Sequence, residues 1–181
     1  MRPSAKPLGY IILCEESPRM TYKISKKRRE FIESHFFEWS FGKPDDYVPS
    51  KKDFLELSHP AELHYLAYIY NWDDDAIVLR WILESPLCSR ATANLLFWRS
   101  LPSYFEDSDF DDESTCPEYC EAGFSLVKMV LEKYKRNAFS DIDIAFDPKG
   151  ETETLRNDNP TWKVPPGVYD KLDGINIDVE E

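Results

Sequence analysis

The sequence predicts a mainly α-helical single domain: a bundle of short antiparallel helices, with minor strand and irregular structure contributed by its two ends. Three observations carry this reading. Apolar residues recur at helical spacing in several separate stretches, Ser or a His-Pro pair stands where those helices would begin, and turn-forming residues divide them. At 181 residues, 42% hydrophobic and 14% aromatic, the chain can bury a core and fits one domain. The predicted division is a helical core over residues 24–137 and a turn-rich extension over 138–181.

Gly9 to Cys14 is the first strand-like run. Ser25 is placed to cap a helix whose first turn is Lys26-Lys-Arg-Arg29, a basic start that opposes the helix macrodipole and leaves a patch able to pair with acids of the same chain. Phe31, Ile32, Phe36 and Trp39 keep helical spacing until Gly42-Lys-Pro44 ends the pattern. The clearest element starts at His59-Pro60, with Leu63, Leu66, Ala67 and Tyr70 on one stripe. Tyr65, Tyr68 and Ile69 make its other side apolar, so burial between neighbours is expected. Asn71 to Asp75 breaks that helix and brings carboxylates to the start of the next, Ala76 to Glu84, with Ile77, Val78, Trp81 and Ile82 inward. Pro86 stops it, and Ser89 begins a third helix with Ala91, Leu95 and Trp98 on one stripe. Such tight connections call for antiparallel packing.

Ser125 to Arg136 reads as an amphipathic helix with Leu126, Val127, Val130, Leu131 and Tyr134 on one side. Beyond it, Asp147-Pro-Lys-Gly150, Asn157-Asp-Asn-Pro160 and Val164-Pro-Pro-Gly167 are turns between short runs at Ile142 to Phe146 and Ile175 to Val179. No apolar run reaches the roughly 18–20 residues that span a bilayer, and the start lacks a long apolar region, so a cytoplasmic location is expected. Cys14, Cys88, Cys116 and Cys120 read as reduced thiols, because the one close pair has C-x3-C spacing rather than C-x2-C.

The block from His59 to Asp74, followed by Cys88 to Trp98, resembles the bacterial family called domain of unknown function 4274. Its hallmark is similar to Tyr70-Asn-Trp-Asp-Asp74, then to a Cys-led helix ending in Leu-Phe-Trp, as at Cys88 and Leu95 to Trp98. The family has Gly after the acid pair and Asp-Leu-Gly after the Cys, where this chain has Asp75 and Ser89-Arg90-Ala91. The resemblance spans about residues 55–105 and implies a fold. It also implies an association, because small families of this kind often stand beside bacterial toxin genes as immunity proteins.

Charge bounds the function. The formal net charge is -12, and it is divided unevenly. Residues 1–52 hold 11 Lys+Arg and 7 Asp+Glu, which leaves 11 and 27 for residues 53–181 out of totals of 22 and 34. Such a surface repels nucleic acid and anionic membrane and attracts basic proteins. The candidate partner-binding residues are therefore Asp73, Asp74 and Asp75 beside Trp72, and the run Glu106, Asp107, Asp109, Asp111, Asp112 and Glu113.

Asp107, Asp109, Asp111 and Glu118 have the spacing of positions 1, 3, 5 and 12 of a calcium loop. Asp112 stands where that loop requires Gly, and Pro117 precedes the final acid, so no calcium site is expected. His35, His59 and His64 lack metal-binding spacing, the six glycines are scattered, and no catalytic motif is present. Trp72 reads as a core residue with an Asp cap beside it, in preference to an interface anchor. The expectation is a non-enzymatic, cofactor-free, immunity-type inhibitor that covers the active surface of a basic toxin acting on nucleic acid. The alternatives are a small enzyme or metal-dependent regulator whose site one sequence does not reveal, or a structural adaptor.

Overall fold

The computed structural model describes residues 20–44, 47–105, 118–152, 155 and 163–181. Among these are six α-helices and one two-stranded sheet, so the fold is mainly α with minor β. Strand β1 (Thr21–Ile24) leads into α1 (Lys26–Phe36) and the short α2 (Lys51–Phe54), followed by α3 (Pro60–Ile69), α4 (Ile77–Glu84), α5 (Arg90–Arg99), α6 (Glu118–Arg136) and strand β2 (Asn176–Val179). No helix among the described residues is long and apolar enough to cross a membrane.

The predicted helix starts hold. Ser25 Oγ accepts from the Arg28 N–H at 3.3 Å and Ser89 Oγ from the Thr92 N–H at 3.1 Å. At α3, Pro60 opens the helix and His59 Nδ1 accepts from the Ala61 N–H at 3.1 Å. Only a neutral imidazole can accept there, and burial lowers the His59 pKa accordingly. The basic start of α1 is answered from the far end of the chain and from α3. Glu180 accepts from the Lys26 N–H at 3.0 Å and pairs with Lys23 at 2.8 Å, supplying an acid where the α1 dipole requires one. Arg28 binds Glu62 through Nε at 2.5 Å and Nη2 at 3.1 Å.

α5 is the centre of the domain. Every residue from Ala91 to Trp98 is buried, and the helix packs against α3 on one side and α6 on another, with α4 laid across α3 and α6. Trp98 closes one end of this core: it is 1% exposed and its Nε1–H donates to the Val168 carbonyl at 2.8 Å. Leu66 is fully buried as expected. Trp81 is only partly buried, lying against the Phe54 ring at 5.6 Å with the Lys51 ammonium 4.6 Å over it. Tyr68 departs from the expected burial too. At 59% exposed, it stands on an open side of α3.

Three boundaries differ from the sequence expectation. α1 ends at Phe36 rather than running through Trp39, because Glu38 takes a left-handed φ of 46° and the next two backbone N–H groups are drawn to Asp74. α6 starts seven residues before Ser125, passing through Gly123, where a Cβ would come within 3.1 Å of the Ser100 carbonyl and 3.3 Å of the Phe105 ring. That glycine permits close approach of α6 to Ser100 and Phe105. β1 was not foreseen. It pairs in parallel with β2, Thr21 opposite Asn176 and Ile24 opposite Val179.

The run at 142–146 contributes isolated bridges from Ile144 to Ile175 and from Phe146 to Leu172 rather than a full strand. Gly174 makes this possible, since a Cβ there would meet the Asp143 carbonyl oxygen at 2.5 Å. Gly9 to Cys14, Glu106 to Pro117 and Asn157 to Pro160 lie outside the described residues.

Candidate functional site

The turn between α3 and α4 is built from polar groups that mostly serve one another. Asn71 Oδ1 accepts from the Asp73 N–H at 3.2 Å, and Asp75 Oδ1 from the Ile77 N–H at 2.7 Å at the entrance to α4. Trp39 Nε1–H donates to the Tyr70 hydroxyl at 2.9 Å, and that hydroxyl donates to the Asp75 carbonyl. Burial pushes the Tyr70 pKa up, so the phenol stays protonated and keeps its donor role.

The three aspartates therefore separate. Asp74 is 7% exposed, and its carboxylate accepts from the Trp39 N–H at 3.1 Å, the Ser40 N–H at 3.3 Å and the Ser40 hydroxyl. This corrects its place beside Asp73 and Asp75: its oxygens are occupied inside the domain, and a partner cannot reach them without opening the turn. Asp73 and Asp75 are exposed. Trp72 is half-buried against the core and its indole Nε1 has no hydrogen-bond partner among the described residues, a deficit of about 1–3 kcal/mol for a buried donor.

Beside this turn lies a cavity of about 460 Å³, walled by Trp72, Asp75, Leu79, Leu101, Tyr104 and Phe105, with α6 closing its far side at Gly123. Leu101 is 57% exposed at a left-handed φ of 54°, and Tyr104 is 51% exposed. Arg99 also borders the cavity, but its charge is committed. It forms a two-pronged pair with Glu151 at 3.3 and 3.1 Å and donates to the Tyr68 carbonyl at 2.6 Å. What remains is an apolar hollow with the Asp75 carboxylate at its border and the exposed Asp73 in the same turn. Phe105 immediately precedes the run Glu106, Asp107, Asp109, Asp111, Asp112 and Glu113, which lies outside the described residues together with Cys116.

Leu101, Tyr104 and Arg99 were not foreseen as site residues. The one signal in the sequence is an apolar residue ahead of a proline at Leu101-Pro102, just past the end of a helix.

Cys88 is fully buried, and burial pushes its thiol up to about 12, far from a reactive thiolate. Among the described residues no three His, Cys, Asp or Glu side chains are grouped to hold a metal ion.

His64 sits in a buried relay. Ser89 Oγ accepts from the Thr92 N–H, lies 2.9 Å from Thr92 Oγ1, and Thr92 Oγ1 lies 3.2 Å from His64 Nδ1. If Ser89 donates to Thr92 and Thr92 to His64, no hydroxyl hydrogen is stranded in the fully buried pair, so the His64 proton belongs on Nε2. Burial, reinforced by Arg99, lowers the His64 pKa to about 4 and keeps the ring neutral.

No curated protein and no solved structure matches the chain. The acid-bordered turn, the Cys-led α5 and most of α6 fall within one contiguous stretch, and residues 58–135 match the model of the family described as Domain of unknown function (DUF4274).

Proposed function

We propose that this protein is a non-enzymatic, immunity-type inhibitor that binds a basic, nucleic-acid-targeting toxin and covers the surface where that toxin holds phosphates. A toxin of that class needs Lys and Arg at its phosphate site, and an acidic protein can occupy the same groups, accelerate encounter and exclude substrate. The observation that carries the reading is the apolar cavity with exposed Asp75 at its border and exposed Asp73 in the same turn. Interfaces draw affinity from a desolvated apolar or aromatic centre and selectivity from charges around it. Here Leu101, Tyr104 and the edge of Trp72 are the centre. Asp73, Asp75 and the run Glu106, Asp107, Asp109, Asp111, Asp112 and Glu113 are the steering charges.

Co-expression with the product of the neighbouring gene tests this. That product is expected to arrest growth alone, and this chain to relieve the arrest. A neighbour without toxicity, or toxicity that this chain leaves untouched, overturns the reading.

A further inference from the structure

Strand β2 uses one of its two edges. The Asn176 N–H donates to the Met20 carbonyl at 2.9 Å and the Glu180 N–H to the Ile24 carbonyl at 3.0 Å, so the even-numbered residues turn their main chain toward β1. Ile175 donates to the Asp143 carbonyl at 3.0 Å and accepts from the Ala145 N–H at 2.9 Å, so the odd-numbered residues turn theirs the opposite way. After Ala145 the chain bridges Leu172 instead of continuing alongside β2. Ile177 and Val179 are left with main-chain donors and acceptors facing an edge that has no strand beside it among the described residues. Such an edge is a template for another strand.

This edge opens into a cleft of about 380 Å³. Asn176, Ile177 and Val179 form one wall, and His64, Tyr65 and Tyr68 of α3 form the other. The cleft is apolar for most of its length, and the His64 ring lines it from α3. An extended segment laid against β2 would pair its backbone with the strand and direct alternate side chains toward α3.

Charge selects the occupant. Asp141 and Asp178 near the edge are exposed, whereas the nearby cations Lys23 and Lys26 are taken up by Glu180 and the Glu181 carbonyl. A second copy of this chain would bring the same acids against each other, on top of a net charge of -12.

We propose that the free edge of β2 and the cleft above α3 form a strand-addition site for an extended, Lys- or Arg-bearing segment of a partner protein, paired through the main chain of Ile177 and Val179. This rests on the reading of the protein as a binder of basic partners and gives it a second contact surface. The two surfaces adjoin, because Arg99 at the cavity lies 5.0 Å from the centre of the Tyr68 ring at the cleft.

The probe is an end-capped decapeptide of alternating lysine and valine, compared with the same peptide N-methylated on alternate backbone amides, which keeps the charge and removes one pairing edge. With the full chain, the unmodified peptide is expected to bind at least about tenfold more tightly, the fold-change of 1.4 kcal/mol, and to slow amide exchange at Ile177 and Val179. Val179→Pro is expected to weaken that binding by a similar factor without lowering the melting temperature, since the lost N–H has no partner and proline is tolerated on a free strand edge. If Val179→Pro does lower it, the two peptides on the parent chain still decide. Equal binding of both peptides, binding of neither, or unchanged exchange at Ile177 and Val179 overturns the proposal. Self-association that Val179→Pro abolishes overturns it in favour of a second copy as occupant. Because no toxin enters this experiment, its failure leaves the growth test standing, and failed growth relief with intact peptide pairing sinks only the inhibitor reading.

Discussion

α5 and the turn between α3 and α4 lie in the same family-matched stretch, yet they are held in place by opposite means. α5 is surrounded by apolar neighbours, and its position follows from packing. The turn is rich in charge, and its position follows from hydrogen bonds that reach 35 residues back to Trp39. Packing is non-directional and tolerates rearrangement of the groups that share it, whereas a buried carboxylate with three donors fixes direction and fails when one partner is lost. The difference lets a strongly acidic segment be rigid without being neutralised by Lys or Arg: one aspartate of three is consumed, and the other two are presented outward.

Four measurements would break or sharpen this comparison. The largest effect is expected in α5. Trp98→Ala removes a nearly fully buried ring and its bond to Val168, and should cost about 3–5 kcal/mol in thermal or denaturant unfolding. A melt matching the parent would show that α5 is not held by packing.

Next comes acid. His64 binds its proton with a pKa of about 4 in the folded state against 6.5 when exposed, so as pH falls the unfolded chain takes up the proton first. Stability from this group is complete above pH 6.5 and declines toward pH 4, by up to about 3 kcal/mol at 1.36 kcal/mol per pKa unit. His59 is shifted in the same direction, so His64→Gln should flatten most of the slope between pH 6.5 and 5 and leave the remainder. A slope unchanged by His64→Gln would place the titrating group elsewhere.

Asp74→Ala strands the buried Trp39 N–H and both Ser40 donors and should cost about 2–3 kcal/mol, partly recovered in Asp74→Asn, whose oxygen still accepts. Stability within error of the parent would mean that the turn holds without its central carboxylate. The smallest effect on folding is expected at Asp73, which is exposed and offers only its backbone N–H to the turn. Asp73→Lys should change stability by less than about 0.5 kcal/mol. Its effect should instead be a slower, less salt-sensitive association with a basic partner in stopped-flow measurements.

Local chemistry made much of this legible in the sequence. Ser25, Ser89 and His59-Pro60 announce their helices because a cap is an interaction over two or three residues. β1 was silent because four residues become a strand only through partners some 155 positions away. The early start of α6 was not legible because the role of Gly123 is set by Ser100 and Phe105, which lie far from it in the local pattern. In the candidate site, the acid triplet and its tryptophan could be read, but not which aspartate turns inward. That depends on the reversal at Glu38, which brings Trp39 and Ser40 within reach. The cavity wall at Leu101 and Tyr104 exists only once α5 and α6 are packed, so no spacing rule could have marked it.

The parallel pairing of β1 with β2 also sets the order in which the molecule can be finished. The Lys26 amide finds its acidic partner 154 residues further along, so a nascent chain emerges with the basic start of α1 unanswered. At a synthesis rate of about 5–20 residues per second, that interval lasts roughly 8–30 s. Closing so long a loop adds only a logarithmic entropy term, so the delay is one of time more than of free energy. During it, Lys26 and Lys23 can be neutralised by whatever anions the surroundings provide, and Glu180 replaces those ions once it has emerged. Emergence of β2 and Glu180 is thus the event that locks the first helix.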